Sequence, residues 1–406
     1  MLSRFPSLAP FKIQSFRQYM TALFLIQFAF QSQLIAINWH MYTLTNSAID
    51  LGFIGLLGFI PTILFSFVAG ITVDKVNRKY LSIASRALYL LTSVILVWAT
   101  ATHTASPFTL YLVTFISAIA MTFGIPSDQS FFPALVPREK LGNAIAITTL
   151  SWQLSVIFGP MASGFIIALY GVQGVYVLTS VIFVISLFFL ARVQYHNKEM
   201  VNEMAFHISS VIDGIKFLMS SPLIYSTMIL DFFAMFFGEA NVLMPIFARD
   251  ILHIGPQGLG FLYAAPSIGA VIAGSVYASF KKVKRQGVIL IFSVFVYGLA
   301  IVGFGFSKIF LLSLFFLAFI GAGDMISTII RSSIRQLLTP DEMRGRVTSL
   351  NMIFFRGGPL LGETEAGFVA GAFGAPFSVV TGGIATVAVT IFLVIFIPML
   401  KTYEEK

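Results

Sequence analysis

Residues 70–79 read GITVDKVNRK and place four charges, Asp74, Lys75, Arg78 and Lys79, within six positions. On either side the chain is apolar for about twenty residues, the length a helix needs to cross a hydrocarbon core of roughly 30 Å. The stretch therefore reads as a polar loop between two membrane spans. The same alternation runs through all 406 residues, which are 57% hydrophobic and 10% charged, against about 25% charged in an ordinary soluble domain. Barrel strands would be about ten residues long and would alternate apolar with polar side chains. These runs are about twice that length and do not alternate, so the fold class is an all-α membrane protein.

Twelve transmembrane helices follow from the runs at 17–44, 51–73, 79–102, 107–130, 144–169, 173–192, 223–248, 257–279, 286–306, 308–330, 346–372 and 376–399. The first run lacks a short apolar core with a small-residue cleavage site and reads as a retained helix. The chain has no cysteine, so no disulfide or thiolate chemistry enters. A net charge of +8 raises the question of nucleic acid, but its placement answers it. With both termini inside, 22 of the 25 Lys and Arg fall in inner loops, helix ends and tails, because these cations resist translocation. The expected setting is the cell inner or plasma membrane, with both termini cytoplasmic, the lipid bilayer as partner and no nucleic acid. Residues 70–79 are then a cytoplasmic loop.

Sliding the chain by about 203 residues exposes an internal duplication. LVPREKLGNAIA at 135–146 falls on LTPDEMRGRVTS at 338–349, matching Pro137 with Pro340, Glu139 with Glu342 and Gly142 with Gly345. Gly70 falls near Gly274, each followed by a basic loop, and FGPMASG at 158–164 is echoed by GGPLLG at 357–362, one turn out of register. An even number of spans per half gives two halves of like orientation. The expected domains are a six-helix bundle at 1–192, a cytoplasmic linker at 193–222 and a second bundle at 223–406.

GITVDKVNRK also resembles the loop signature of the major facilitator superfamily, Gly-x-x-x-Asp-Arg-x-Gly-Arg-Arg, with Lys75, Asn77 and Lys79 at the positions that differ. The likeness extends over the whole chain. PALVPREKLGNA, FARDILHIGPQGLGFLYAAPSIGA, TPDEMRGRV and LGETEAG are similar to the subgroup containing enterobactin exporters and macrolide or other drug efflux proteins. The resemblance implies that Gly70, Asp74 and Arg78 form a conformational latch, an ion pair closing the inner side in one state. Read from the residues alone, the cations obey the positive-inside rule and Asp74 sits favourably near a helix start. Ala278 stands near the repeat position of Asp74, so the second half lacks the acid.

An ionisable side chain in mid-span costs roughly 2.5 to 3.5 kcal/mol on insertion scales, so each such group should face protein or water. Six acids qualify: Asp128, Asp231, Glu239, Asp324, Glu363 and Glu365. Asp128 and Asp324 lie toward inner span ends, where interfacial solvation is a sufficient explanation. Asp231 and Glu239 share the seventh span at two depths, about 12 Å apart along a continuous helix. Arg356 and Glu363 share a face of the eleventh span, Glu365 the opposite one. Desolvated carboxylates of this kind can take up and release protons near neutrality, as coupling to a gradient requires. The alternative is a static clamp between arginine and carboxylate.

On the first span Gln27, Gln31, Asn38 and Tyr42 fall within one narrow arc, either as a substrate-facing stripe or as hydrogen-bonding glue between helices. Gln33 and His40 lie on the other side, and Arg86 is expected to snorkel to the inner surface. Gly159, Pro160 and Gly164 read as a kink with close packing. They also resemble the Gly-Pro-x-x-Gly-Gly signature of the superfamily's exporters, with Ser163 replacing a glycine.

Five scattered histidines give no metal-ligand spacing, and no phosphate-binding loop is present, so neither an enzyme site, a metal nor direct use of ATP is expected. The expectation is a monomeric secondary transporter without cofactor. It exports an amphipathic organic compound, a drug-like molecule or a siderophore, against a proton gradient. An importer or lysolipid transporter of the same fold is the near alternative. A non-transporting sensor or scaffold is the distant one, and it predicts a signalling domain or long tail.

Overall fold

A computed structural model describes residues 9–195, 208–280 and 283–404, apart from the side chains of Phe67, Asp74, Ile353 and 208–211. Among the described residues every regular element is helical. In chain order the long ones are α1 Gln14–Thr45, α2 Ala48–Lys75, α3 Arg78–Ala101, α4 Pro107–Phe131 and α5 Leu141–Ala191. The shorter α6 Ile208–Ser220 follows, then α7 Pro222–Gly238, α8 Gly255–Ser279, α9 Gln286–Phe306, α10 Phe310–Leu338, α11 Arg344–Phe373 and α12 Ala375–Phe396. Ten helical stretches among the described residues are long and apolar enough to cross a membrane.

The boundaries have local causes. Ser106 caps α4 by accepting the Thr109 N–H at 3.3 Å, with Pro107 in the first turn where a missing N–H costs nothing. Asn77 caps α3 through Lys79 N–H at 3.0 Å. The 51-residue α5 is broken at Gly171, whose φ of 66° and ψ of −176° lie where only glycine is at ease, so the expected spans 144–169 and 173–192 meet there without a loop.

Two expected spans come out differently. The seventh, expected as one helix over 223–248, stops at Gly238 and continues as a 3₁₀ turn at Asn241–Leu243 and a π-helical turn at Phe247–Ile251. Glu239 is therefore a helix-ending residue with extended backbone, and the regular-helix relation between it and Asp231 does not hold. The tenth, expected to end at 330, runs on to Leu338 and draws Arg331 and Arg335 into the helix.

The chain clusters into two compact units, Met1–Thr45 with Leu57–Met204, and Asn46–Leu56 with Ala205–Lys406. In the first, α1 packs along α5, and α3 lies on α4 and α5. Tyr19 meets Phe131 edge to face at 5.1 Å and Tyr89 stacks on Phe183 at 5.8 Å in its core. In the second, α7 packs on α11 and α12, α9 on α10 and α12, and α8 on α10. The opening turns of α2 join this unit through Phe53 against Phe368 at 5.3 Å and Arg249 donating to Asn46 Oδ1 at 2.6 Å. Large apolar side chains such as Trp98, Phe292 and Leu311 point outward, as lipid-facing positions do.

The duplicated sequence motifs occupy like places. A Cβ on Gly159 of α5 would lie 2.9 Å from Gln31 Cβ on α1, where Ser32 Oγ donates to the Gly159 carbonyl at 3.0 Å and Ser163 Oγ to the Ser32 carbonyl at 2.9 Å. A Cβ on Gly362 of α11 would lie 2.6 Å from the Phe236 carbonyl of α7. In each unit the glycine-proline helix thus closes on the unit's first long helix without an intervening side chain.

Candidate functional site

Each unit buries an arginine among acids, and the two arrangements differ. In the first unit Arg86 of α3 is 1% exposed and does not snorkel. Its Nη1 donates to Asp128 Oδ1 of α4 at 3.2 Å and its Nη2 to Oδ2 at 3.5 Å. Ser82, one turn before Arg86, donates to the same Oδ1 at 2.6 Å and accepts from Arg86. Tyr19 donates to the Asp128 backbone carbonyl at 3.4 Å. Asp128 therefore has one guanidinium and one hydroxyl as partners, with its side chain 21% exposed.

This pair lines a cavity of about 90 Å³ whose other walls include Leu23, Gln27, Phe30, Met121 and Trp152. Gln27 accepts from Ser151 at 3.3 Å. The remaining members of the first-span stripe fall elsewhere: Gln31 abuts Gly159, and Asn38 and Tyr42 are buried. On the other face Gln33 donates to Thr92 at 3.3 Å and accepts from Thr179, and His40 meets the Tyr176 hydroxyl at 3.1 Å. Those polar groups join α1 to α3 and α5.

In the second unit Arg331 of α10 is 2% exposed. Its Nη2 lies 2.8 Å from Asp231 Oδ1 of α7 and 3.5 Å from Asp324 Oδ1, and donates to Thr328 Oγ1 at 2.9 Å. The Asp231 contact is close but lacks hydrogen-bond geometry, and Asp231 Oδ1 and Arg331 Nε are buried without a hydrogen-bond partner. Tyr297 of α9 is within electrostatic reach of Asp231, Asp324, Arg331 and Glu239. Glu239 accepts the Asn241 N–H at 3.2 Å, its Cβ lies 3.0 Å from where a Cβ on Gly362 would be, and its charge acts on Glu363. Asp231 and Asp324 thus flank Arg331, the charge of Asp324 reaches Glu239, and that of Glu239 reaches Glu363, so the four acids form a chain that starts at Arg331. Among the described residues nothing joins Glu365 to it. Arg356 lies half-buried two turns before Glu363.

A family model described as "transmembrane secretion effector" matches residues 5–406. The chain belongs to this family, a branch of the major facilitator superfamily. It is a membrane transporter, not an enzyme. Relatives of this facilitator include the enterobactin exporter EntS of Citrobacter koseri, 26% identical over 364 residues that cover 89% of this chain and 84% of that protein. The enterobactin exporter EntS of Escherichia coli O81 is 28% identical over 309 residues, 76% of this chain and 70% of that one. Among solved structures, the nucleoside transporter NupG superposes with a TM-score of 0.74 over 96% of this chain and 99% of that chain, at 14% identity. A D-xylose–proton symporter superposes at 0.73 over 95% and 98%, also at 14% identity. At such identities the likeness establishes the fold.

The stretch 70–79, expected as a loop, is helical except at Val76 and Asn77, and two of its cations, on the first turn of α3, have a structural role. Arg78 Nη1 donates to the Ser130 carbonyl at 3.1 Å, and Lys79 Nζ caps the end of α5 through the Ala191 and Val193 carbonyls at 2.8 Å each. Gly70 is exposed, and the Asp74 side chain, the other half of the expected latch, lies outside the described residues. Arg86 and Arg331 are candidates that the sequence does not single out: Arg86 is expected to snorkel, and Arg331 is one of the 22 cations assigned to inner loops, helix ends and tails. A signal for Arg331 was available: a shift of 203 residues sets it on Asp128, the acid of the first unit's pair.

Proposed function

We propose that this transporter is a proton-coupled exporter of an amphipathic organic compound, a siderophore or drug-like molecule, working by alternating access of two bundles at 1–192 and 223–406 joined through 193–222. The observation that carries the reading is the run of acids in the second unit, Asp231 and Asp324 at Arg331 and then Glu239 and Glu363 within electrostatic reach of one another. Carboxylates sharing a low-dielectric site cannot all stay ionised, so such a cluster exchanges protons when its charge partner or hydration changes. Asp231 and Asp324 compete for Arg331, while Glu239 and Glu363 lack so close a cation in that cluster and are the proton carriers in this proposal. The cleft of the first unit, largely apolar with Gln27, Trp152 and the Arg86–Asp128 pair, suits part of an aromatic, polar-edged substrate.

The names of the relatives support export of a siderophore-like compound. In this reading the protein is an inner-membrane monomer with cytoplasmic termini, uses the proton gradient and needs no cofactor. The test is counterflow in proteoliposomes under an imposed pH gradient, screened over catecholate siderophores, macrolides and lysolipids. Accumulation that follows the gradient for one class supports the proposal; movement indifferent to the gradient overturns the coupling.

A further inference from the structure

Beyond the transport reading, the second unit holds a polar pocket that the proton cluster does not use. It lies between the last turns of α10 and the first turns of α11 and has a volume of about 220 Å³. Of the eight described residues that line it, seven are polar or charged; Ser332, Arg335, Gln336, Thr339, Arg344 and Asn351 are among them, and none of the described ones is an acid. A space of this size holds several waters at about 30 Å³ each, enough for a tetrahedral oxyanion with its first substituent.

The donors in this pocket are unspent. Among the described residues Arg335 Nη1 and Thr339 Oγ1 are buried with no hydrogen-bond partner, and Thr339 is 4% exposed; Asn351 Oδ1, an acceptor, is likewise unpartnered. Buried polar groups in folded proteins are almost always satisfied, so two orphan donors facing one cavity point to a ligand that accepts. Asp231 acts on Arg335 from a distance, but its close contact goes to Arg331, one turn earlier. Arg344 shares its charge with Asp341 at 3.0 Å, an exposed pair at the mouth. The surplus at the pocket is therefore positive. Guanidinium forks and a hydroxyl are the set that grips phosphate, and a flip of the Asn351 amide adds two more donors.

We propose that this pocket is a phosphate-binding site, filled either by the headgroup of an anionic phospholipid or by a free phosphate-bearing solute. Arg335 and Thr339 hold the oxygens from the α10 side, while Arg344 guards the entrance from α11.

The test uses the full-length protein in nanodiscs of phosphatidylcholine with or without phosphatidylglycerol, and in neutral detergent with inorganic phosphate. Native mass spectrometry counts retained lipid, and thermal melting follows added phosphate, with chloride at equal ionic strength as control. The expected result is retained phosphatidylglycerol, or a melting shift with phosphate, in the wild type. The affinity should fall at least tenfold in Arg335→Gln and severalfold in Thr339→Val. Arg344→Gln, at an exposed position, serves as a second variant should Arg335→Gln fail to fold, and it too should weaken binding. Loss of lipid retention without any response to inorganic phosphate assigns the headgroup; a response to inorganic phosphate that displaces lipid assigns the free solute. Equal retention and equal melting in wild type and folded variants overturn the proposal, whatever becomes of proton coupling.

Discussion

In the first unit Arg86 faces one carboxylate, Asp128, and Ser82 completes the pair. In the second, Arg331 is divided between Asp231 and Asp324, with Glu239 in reach of Asp324 and Glu363 in reach of Glu239. The duplication makes the contrast sharper, since Arg331 stands at the position Asp128 holds in the other half while its nearest acid comes from α7, not from α9 or α12. A one-to-one pair with a supporting hydroxyl is electrically closed and has no reason to exchange protons. A cluster with more acids than bases is closed only by protonation, and that is the property a coupling site needs. On the proposed reading, the repeated scaffold is shared by both halves, and the difference in charge placement assigns coupling to the second.

The largest expected effect comes from Arg331→Gln. Removing one partner of a buried ion pair typically costs about 3–5 kcal/mol, so this variant should melt well below the wild type in detergent and lose gradient-driven transport by two orders of magnitude or more. Adding Asp231→Asn should restore much of the melting temperature without restoring transport, which separates stability from coupling. Next comes Arg86→Gln. It strands Asp128 beside Ser82, a loss of about 1–3 kcal/mol, and should slow flux about tenfold while leaving its dependence on the gradient intact. Should the gradient dependence vanish instead, the contrast between the units is broken.

The glycine seams give the third comparison. Leucine at Gly159 or at Gly362 overpacks a helix crossing at a cost of about 1–3 kcal/mol. Both variants should melt earlier, but Gly362→Leu alone should alter the response to the gradient, because Glu239 borders that glycine. The smallest effect is that of Lys79→Ala, which removes a cation from the end of α5. It should lower stability by about 0.3–1 kcal/mol and leave coupling unchanged in the flux assay.

Span positions and the repeat are legible in the sequence because hydrocarbon imposes length and apolarity on every helix that crosses it, whereas the loop expected at 70–79 shrinks to Val76 and Asn77 because α2 carries its helix on through Asp74 and Lys75. Where the reading slipped, charge was the cause. Arg331 falls among the cations of inner loops, helix ends and tails because a guanidinium at the end of an apolar run usually lies in water; its partner on α7, a hundred residues earlier, explains why it can be buried. Arg86 misled for the same reason, its acid lying on the next helix. Glu239 was placed on a continuous helix because periodicity cannot report the turn after Gly238, which depends on packing against Tyr297 and α11. The acids themselves were visible; their grouping was tertiary.

The most direct measurement is the number of protons moved per substrate across proteoliposomes, in the wild type and in Glu239→Gln/Glu363→Gln, with an internal pH dye reporting the protons. The account predicts that the wild type moves protons in fixed proportion to substrate, and that the double variant still exchanges substrate across the membrane but moves none. An unchanged ratio in the double variant would contradict the assignment of coupling to the second unit's acids.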